Sequence, residues 1–192
     1  MMPDLATPTF EHVVLVDAAN RPIGTSRKRD VHHAATPLHR GFSVFLFDVE
    51  GRTLLQQRSL RKPTWPGVWS NACCGHPQLQ ESTLQAVQRR LGEELGLEGV
   101  ALEIVLPDYR YRFTREGIVE NEFCPVAVGM TSDEPRPNPN EVHDVRWLDW
   151  GAFLEQTRRD NAYSEWCVEE AALLADHPAF QRFYNALRPG PT

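Results

Sequence analysis

Apolar residues follow two rhythms along the chain. Up to residue 148 they come mainly in short runs. EHVVLVD over 11–17 reads as a strand ending in an Asn20-Arg21-Pro22 turn. FSVFLF over 42–47 is an unbroken apolar run, and TLLQQ over 53–57 is its expected hairpin partner across Asp48–Gly51. Further strands are predicted at 101–106, 108–114, 118–128 and 141–148, with a turn at Arg115-Glu116-Gly117. In the middle, Leu84, Val87, Leu91 and Leu95 recur at three- and four-residue steps and form one helical stripe. Ser82 with Gln85 is a capping box at its start, and Gly96 is its stop. After Trp150 the period becomes helical, with segments near 151–158, 164–175 and 178–187. Strands first, one central helix and helices last predict an α+β layered fold.

Size and charge narrow the picture. A chain of 192 residues with 41% hydrophobic content fits one domain, with a core over about 11–170 and a helical tail over 171–192. The only linker-like stretch, TSDEPRPNPN over 131–140, is expected to be a surface loop. A net charge of −6 argues against broad nucleic-acid or membrane-surface binding. No apolar run approaches the ~20 residues of a membrane span. The first ten residues, MMPDLATPTF, do not read as a secretory signal, so a cytoplasmic location is expected. Cys73, Cys74, Cys124 and Cys167 do not look like a disulfide framework, since two are adjacent and the others far apart.

The candidate chemistry is concentrated in WPGVWSNACCGHPQLQESTLQAVQRRLGEELGL, residues 65–97. Cys74 and His76 stand just ahead of the helix, and Glu81, Arg89, Arg90, Glu93 and Glu94 lie off its apolar stripe. For a short helix of this composition a solvated charged face is the ordinary reading. Elsewhere, Lys28, His32, His33 and His39 sit between the first strand and the 42–47 run, and a lone histidine there is usually structural or exposed. Glu120 and Glu122 are two apart in a predicted strand, so both project to one face. Three imidazoles and two carboxylates make a plausible N/O site for manganese, magnesium, iron or zinc if the fold brings them together.

Gly75, Glu81, Arg89, Leu91, Glu93-Glu94, Gly96 and Leu97 resemble, in their spacing, the Nudix box, a loop–helix–loop that holds divalent cations against a diphosphate. One position departs: Arg90 stands where the family's hydrolases carry a glutamate. That exchange weakens a metal cluster for diphosphate cleavage and adds a cation suited to gripping an anion. Over roughly 11–170 the chain also resembles the type I isopentenyl-diphosphate isomerases. The resemblance is carried by LHRGF around His39, by Arg58 and Lys62, by WPGVWSNACCGHPQ, by Tyr109-Arg110-Tyr111-Arg112, by GIVENE before Cys124-Pro125, and by Ser164-Glu165-Trp166. It implies a Nudix-like mixed β-sheet sandwich flanked by helices, with extra C-terminal helices.

It also implies movement of a double bond, from isopentenyl diphosphate to dimethylallyl diphosphate, through a tertiary carbocation. The implied metal ligands are His32, His39, His76, Glu120 and Glu122, for Mn2+ or another divalent ion. A Mg2+ ion arriving with the diphosphate would take Glu94 and the backbone carbonyl of Cys74. Lys28, Arg58, Lys62 and Arg90 would clamp the diphosphate. Cys74 and Glu122 are the implied acid–base pair, with Tyr111 assisting Glu122 on the donor side, Cys74 as base, and Trp166 facing the cation. Cys73, Cys124 and Cys167 are expected to be core or spectator residues, and Trp65 and Trp69 to support the loop. His33 and His143 have no matching role, and His12 and His177 are expected at the surface. The competing readings are a Nudix hydrolase of a nucleoside or isoprenoid diphosphate, and a regulator that keeps the fold without turnover.

Overall fold

The structure, a computed structural model, describes residues 10–187. Most of the amino-terminal stretch read above, and the last five residues of the tail, lie outside the described residues. Strands β1 (His12–Val16), β2 (Pro22–Arg27), β3 (His39–Arg40), β4 (Phe42–Phe47), β5 (Arg52–Arg58), β6 (Trp69–Ser70) and β7 (Cys73–Gly75) precede the central helix, with a short helix α1 (Lys28–Val31) among them. The central helix is α2 (Thr83–Leu95). Then come β8 (Ala101–Leu106), β9 (Arg110–Arg115), β10 (Ile118–Phe123), β11 (Val126–Met130) and β12 (Val142–Asp149). Helices α3 (Trp150–Thr157), α4 (Glu165–Asp176) and α5 (Pro178–Leu187) finish the fold. One sheet has the order β2-β1-β3-β10-β9; the other runs β12-β5-β4-β11-β8, with β6 on β5 and β7 on β4.

The apolar run in β4 is unbroken because both of its faces are covered. Phe45 and Phe47 pack with Trp150, Phe153, Leu174 and Phe180 beneath the carboxy-terminal helices. Phe42, Val44 and Leu46 pack on the other side with Val87, Leu91 and Leu95 of α2. That helix begins with the complete capping box of Ser82 and Gln85. It ends at Gly96, whose φ of 63° is a left-handed conformation that glycine adopts without strain.

The expected β4–β5 hairpin forms at its turn end only. The two strands pair only at Phe47↔Thr53 and then part. β7 takes the edge of β4, β6 takes the edge of β5, and the long partner of β5 is β12, from Val142↔Arg58 to Asp149↔Arg52. Local sequence favours the turn, but two short strands wedged into the fork use the hydrogen bonds that a hairpin would have used. The single strand expected over 118–128 is likewise two strands in two sheets. Pro125 lacks an N–H for the ladder, so pairing is interrupted there and the chain crosses between layers. Residues beyond Pro22, expected to lie past the first strand's turn, form β2 instead and pair with β1 from His12↔Arg27 to Val16↔Pro22.

The last helix belongs to the core. Phe180 is buried, its ring stands 5.1 Å from Trp150 and 5.5 Å from Phe47, and Tyr184 donates its hydroxyl hydrogen bond to the Gly51 carbonyl at 2.9 Å. Phe180→Ala is expected to lower unfolding free energy by about 3–5 kcal/mol, the usual loss for a buried phenylalanine. Urea denaturation followed by fluorescence checks it, and an unchanged midpoint would mean that α5 is an appendage.

Candidate active site

Strand register delivers one end of the site. In β10, Glu122 lies beside His39 of β3 on one side and beside Tyr111 of β9 on the other. His32 caps the end of α1, and His76 follows β7. Ligating atoms of His32, His39, His76 and Glu122 all lie within 4.8 Å of one another. Glu120 Oε2 is 3.1 Å from His32 Nε2, beside that group. Gly41 lets the backbone pass this close: a Cβ there would stand 1.7 Å from Glu122 Oε2.

The donor set suits a divalent cation. His32 Nε2, His39 Nε2 and Glu120 Oε2 are buried without a hydrogen-bond partner among the described residues. Orphaned buried polar atoms are costly, and a cation bound between them removes that cost. The His39 ring is oriented by the hydrogen bond between Nδ1 and the Pro37 carbonyl at 2.9 Å, which turns Nε2 inward as an acceptor. Burial alone would raise the Glu122 carboxyl, but the facing imidazoles, His39 at 3.6 Å and His76 at 3.0 Å, outweigh it and hold it low. Burial pushes His76 down to about 4, so its imidazole is neutral and able to ligate.

A cavity of about 330 Å³ opens beside this cluster. Cys74, Tyr111, Glu122 and Trp166 line it, together with Lys28, Arg58, Lys62 and Arg90, so all eight expected catalytic and clamp residues share one space. The Trp166 ring is stacked on Tyr111 at 5.7 Å and meets Trp65 edge-on at 5.4 Å. Cys74 stands opposite Ser43 in the β4–β7 register. Its Sγ lies 3.5 Å from Ser43 Oγ and 3.2 Å from Asn71 Oδ1. Burial, reinforced by the charge of Glu170, pushes this thiol up to about 12. Burial and the neighbouring Glu122 also push the Tyr111 hydroxyl well up. In the protein alone, sulfur and phenol therefore hold their protons and Glu122 does not. Cys73 faces away into the core with Val87 and Leu91.

The cations are not free. Lys28 is paired with Glu11 at 2.7 Å, and Lys62 with Glu141. Arg90 binds Glu94, Glu93 at 2.8 Å and Glu141 at 3.3 Å. Arg58 donates instead to backbone carbonyls, Thr64 at 2.9 Å and Trp65 at 3.1 Å. Arg90 and Glu94, expected to serve diphosphate and magnesium separately, thus hold each other in this structure. Arg89 pins the His76 loop, bonding Glu81 at 2.8 Å and the His76 carbonyl at 3.3 Å.

Sequence reasoning missed Glu11 and Glu141. The only signal for them was their charge, because their place beside the lysines comes from the fold. His12, expected at the surface, is buried: it accepts from the Leu79 amide at 3.0 Å and so ties the loop before α2 to β1. His177 is half-buried and caps α5, while His143 is exposed. His33 shapes its own loop by accepting from the Ala35 amide at 3.1 Å. Trp65 donates to Glu165 at 2.7 Å, and Trp69 lies under Arg146 at 4.1 Å. Cys73, Cys124 and Cys167 are buried free thiols.

Residues 37–167 match the NUDIX domain. A protein from Deinococcus radiodurans shares the fold at a TM-score of 0.69 and 20% identity, covering 85% of this chain and 98% of that one. A MutT protein from Methanosarcina mazei does so at 0.59 and 18%, covering 77% and 95%. Sequence relatives are much nearer. The isopentenyl-diphosphate Delta-isomerase of Saccharopolyspora erythraea is 47% identical over 87% of each chain. That of Mycolicibacterium vanbaalenii is 46% identical over 88% of this chain and 93% of its own. The Escherichia coli protein of the same name is 46% identical over 84% and 90%. This chain belongs to the isopentenyl-diphosphate Delta-isomerase family.

The convergence on one point predicts that His32→Ala, which leaves the hydrophobic clusters intact, loses bound metal. Elemental mass spectrometry of the purified variant checks this; unchanged metal-to-protein stoichiometry would remove His32 from the site.

Proposed function

We propose that the protein converts isopentenyl diphosphate to dimethylallyl diphosphate by adding a proton at the terminal alkene carbon and removing another from the neighbouring methylene. The observation that carries this reading is the shared cavity: a thiol, a phenol and a metal-facing carboxylate line the same space as the cations that suit a diphosphate. Lys28, Arg58, Lys62 and Arg90 take the diphosphate, because charge-assisted contacts to phosphate are the strong class of hydrogen bond. His32, His39, His76, Glu120 and Glu122 would hold manganese or another divalent ion. Glu94 and the Cys74 carbonyl would hold a magnesium ion accompanying the diphosphate, an ion that prefers few carboxylates plus phosphate oxygens. These ions supply charge neutralisation and a fixed orientation for Glu122.

Tyr111 is the protonated group on the Glu122 side of the cavity. It gives that proton to the terminal alkene carbon, its O–H bond breaking as the C–H bond forms, and is left as a phenolate opposite the tertiary cation, while Glu122, across the strand from it and already ionised, orients the hydroxyl. Cys74 takes the methylene proton as thiolate. The resting thiol must first release its own proton to solvent against the burial that raises it, and hydrogen bonding to Ser43 together with the charge of Arg58 offsets part of that cost. The tertiary cation between them faces Trp166, an interaction worth about 2 kcal/mol when desolvated. Trp166 and Tyr111 are also nearly buried, which keeps out water that would trap the cation.

The hydrolase reading is disfavoured by Arg90. It occupies the place of a metal-binding carboxylate and also engages Glu93 and Glu94, the acids a hydrolytic cluster would use. Four free thiols suit a reducing compartment such as the cytoplasm.

Cys74→Ala and Glu122→Gln are each expected to lower isomerisation by roughly 10²–10⁴-fold or more, the usual worth of a positioned acid or base. Circular dichroism should stay unchanged; near-normal turnover in either variant would overturn the pairing. Turnover in deuterated water should place label in the product methyl group. Phosphate release without allylic product would restore the hydrolase.

A further inference from the structure

Glu141 is an acid among cations that suit a diphosphate. Its carboxylate bonds Lys62 and reaches Arg90 Nη2 at 3.3 Å, and it lines the same cavity as both. A diphosphate needing those two cations must displace Glu141 or sit beside it, and two anions side by side repel. The backbone at this point is fixed. The Glu141 amide donates to the Asn138 carbonyl at 2.9 Å, and its carbonyl accepts from the Ser59 amide at 3.0 Å. Any change must therefore come from the side chain, which is 26% exposed and has room to turn. Glu94 bonds the same Arg90 nitrogen, so two carboxylates converge on one guanidinium nitrogen. Released from it, two carboxylates beside phosphate oxygens are the ligand set that magnesium favours. Glu11 differs: among the described residues its ion pair is with Lys28, and its side chain is 64% exposed, so solvent screens it.

Building on the diphosphate reading above, we propose that Glu141 makes diphosphate binding conditional on a divalent cation. In the free protein it holds Lys62 and Arg90 and keeps bare diphosphate out. When magnesium and diphosphate enter together it turns from the cations to the metal ion. Glu141 is thus a specificity-determining residue that selects the metal-complexed form of the ligand.

Calorimetric titration of the full-length protein with inorganic diphosphate tests this, with metal chelated and with magnesium in excess. The wild-type protein should bind roughly tenfold or more tightly with magnesium. In Glu141→Gln, which keeps the shape and removes the charge, the metal-free affinity should rise and the magnesium preference should collapse. Glu141→Asp keeps the charge and should keep the preference. Circular dichroism establishes that each variant is folded. A Glu141→Gln protein with the wild-type magnesium preference would overturn the proposal while leaving the diphosphate site standing. A wild-type protein that binds diphosphate under neither condition would overturn both.

Discussion

A buried carboxylate must be partnered or it does not stay ionised. Glu122 meets this demand by drawing on separate parts of the chain. His39 arrives beside it on a parallel strand, His76 reaches it from the loop before α2 at 3.0 Å, and Tyr111 flanks it on the antiparallel side. Gly41 leaves the space for its oxygens. Each supporting element is held in turn by something outside the cluster: Arg89 grips the His76 carbonyl, and Pro37 orients the His39 ring. The first sheet is therefore organised around one ionised oxygen pair and the cation those ligands suit.

Cys74 reaches the same cavity from the second sheet by a different device. Were β4 and β5 a simple hairpin, the fork that admits β6 and β7 would be closed. Splaying the strands sets Cys74 opposite Ser43, while Cys73, its neighbour, points into the core against α2. Thiol and carboxylate thus stand on different sheets and share one cavity. A reaction that adds a proton at one carbon and removes one two carbons away needs two separately mounted groups of this kind.

Lys28, Lys62 and Arg90 are each paired with a carboxylate before any ligand enters. Arg90 is nearly buried, and burial alone would weaken its charge, but Glu94 and Glu141 more than offset this and hold it cationic. The position that departs from the hydrolase pattern thereby ties the Nudix helix to the loop before β12. The Nudix helix keeps its carboxylates, but their resting partner is an arginine.

The sequence alone determined what local physics determines. The stripe of Leu84, Val87, Leu91 and Leu95, the Ser82–Gln85 box and the Gly96 stop fix α2, because capping and helical period depend on near neighbours. The spacing around Cys74, His76, Arg89 and Glu94, together with the Glu120-Asn121-Glu122 alternation, made the family legible and named the residues that the fold then brought together. What only the tertiary structure decided are pairings between distant segments. The parting of β4 from β5, the switch of sheets at Pro125, the burial of His12 and the presence of Glu11 and Glu141 among the clamp cations have no local signature. Hydrogen bonds and charges find partners by proximity in space. Proximity across more than a hundred residues, as between Glu141 and the site's first lysine, is a property of the whole packed chain.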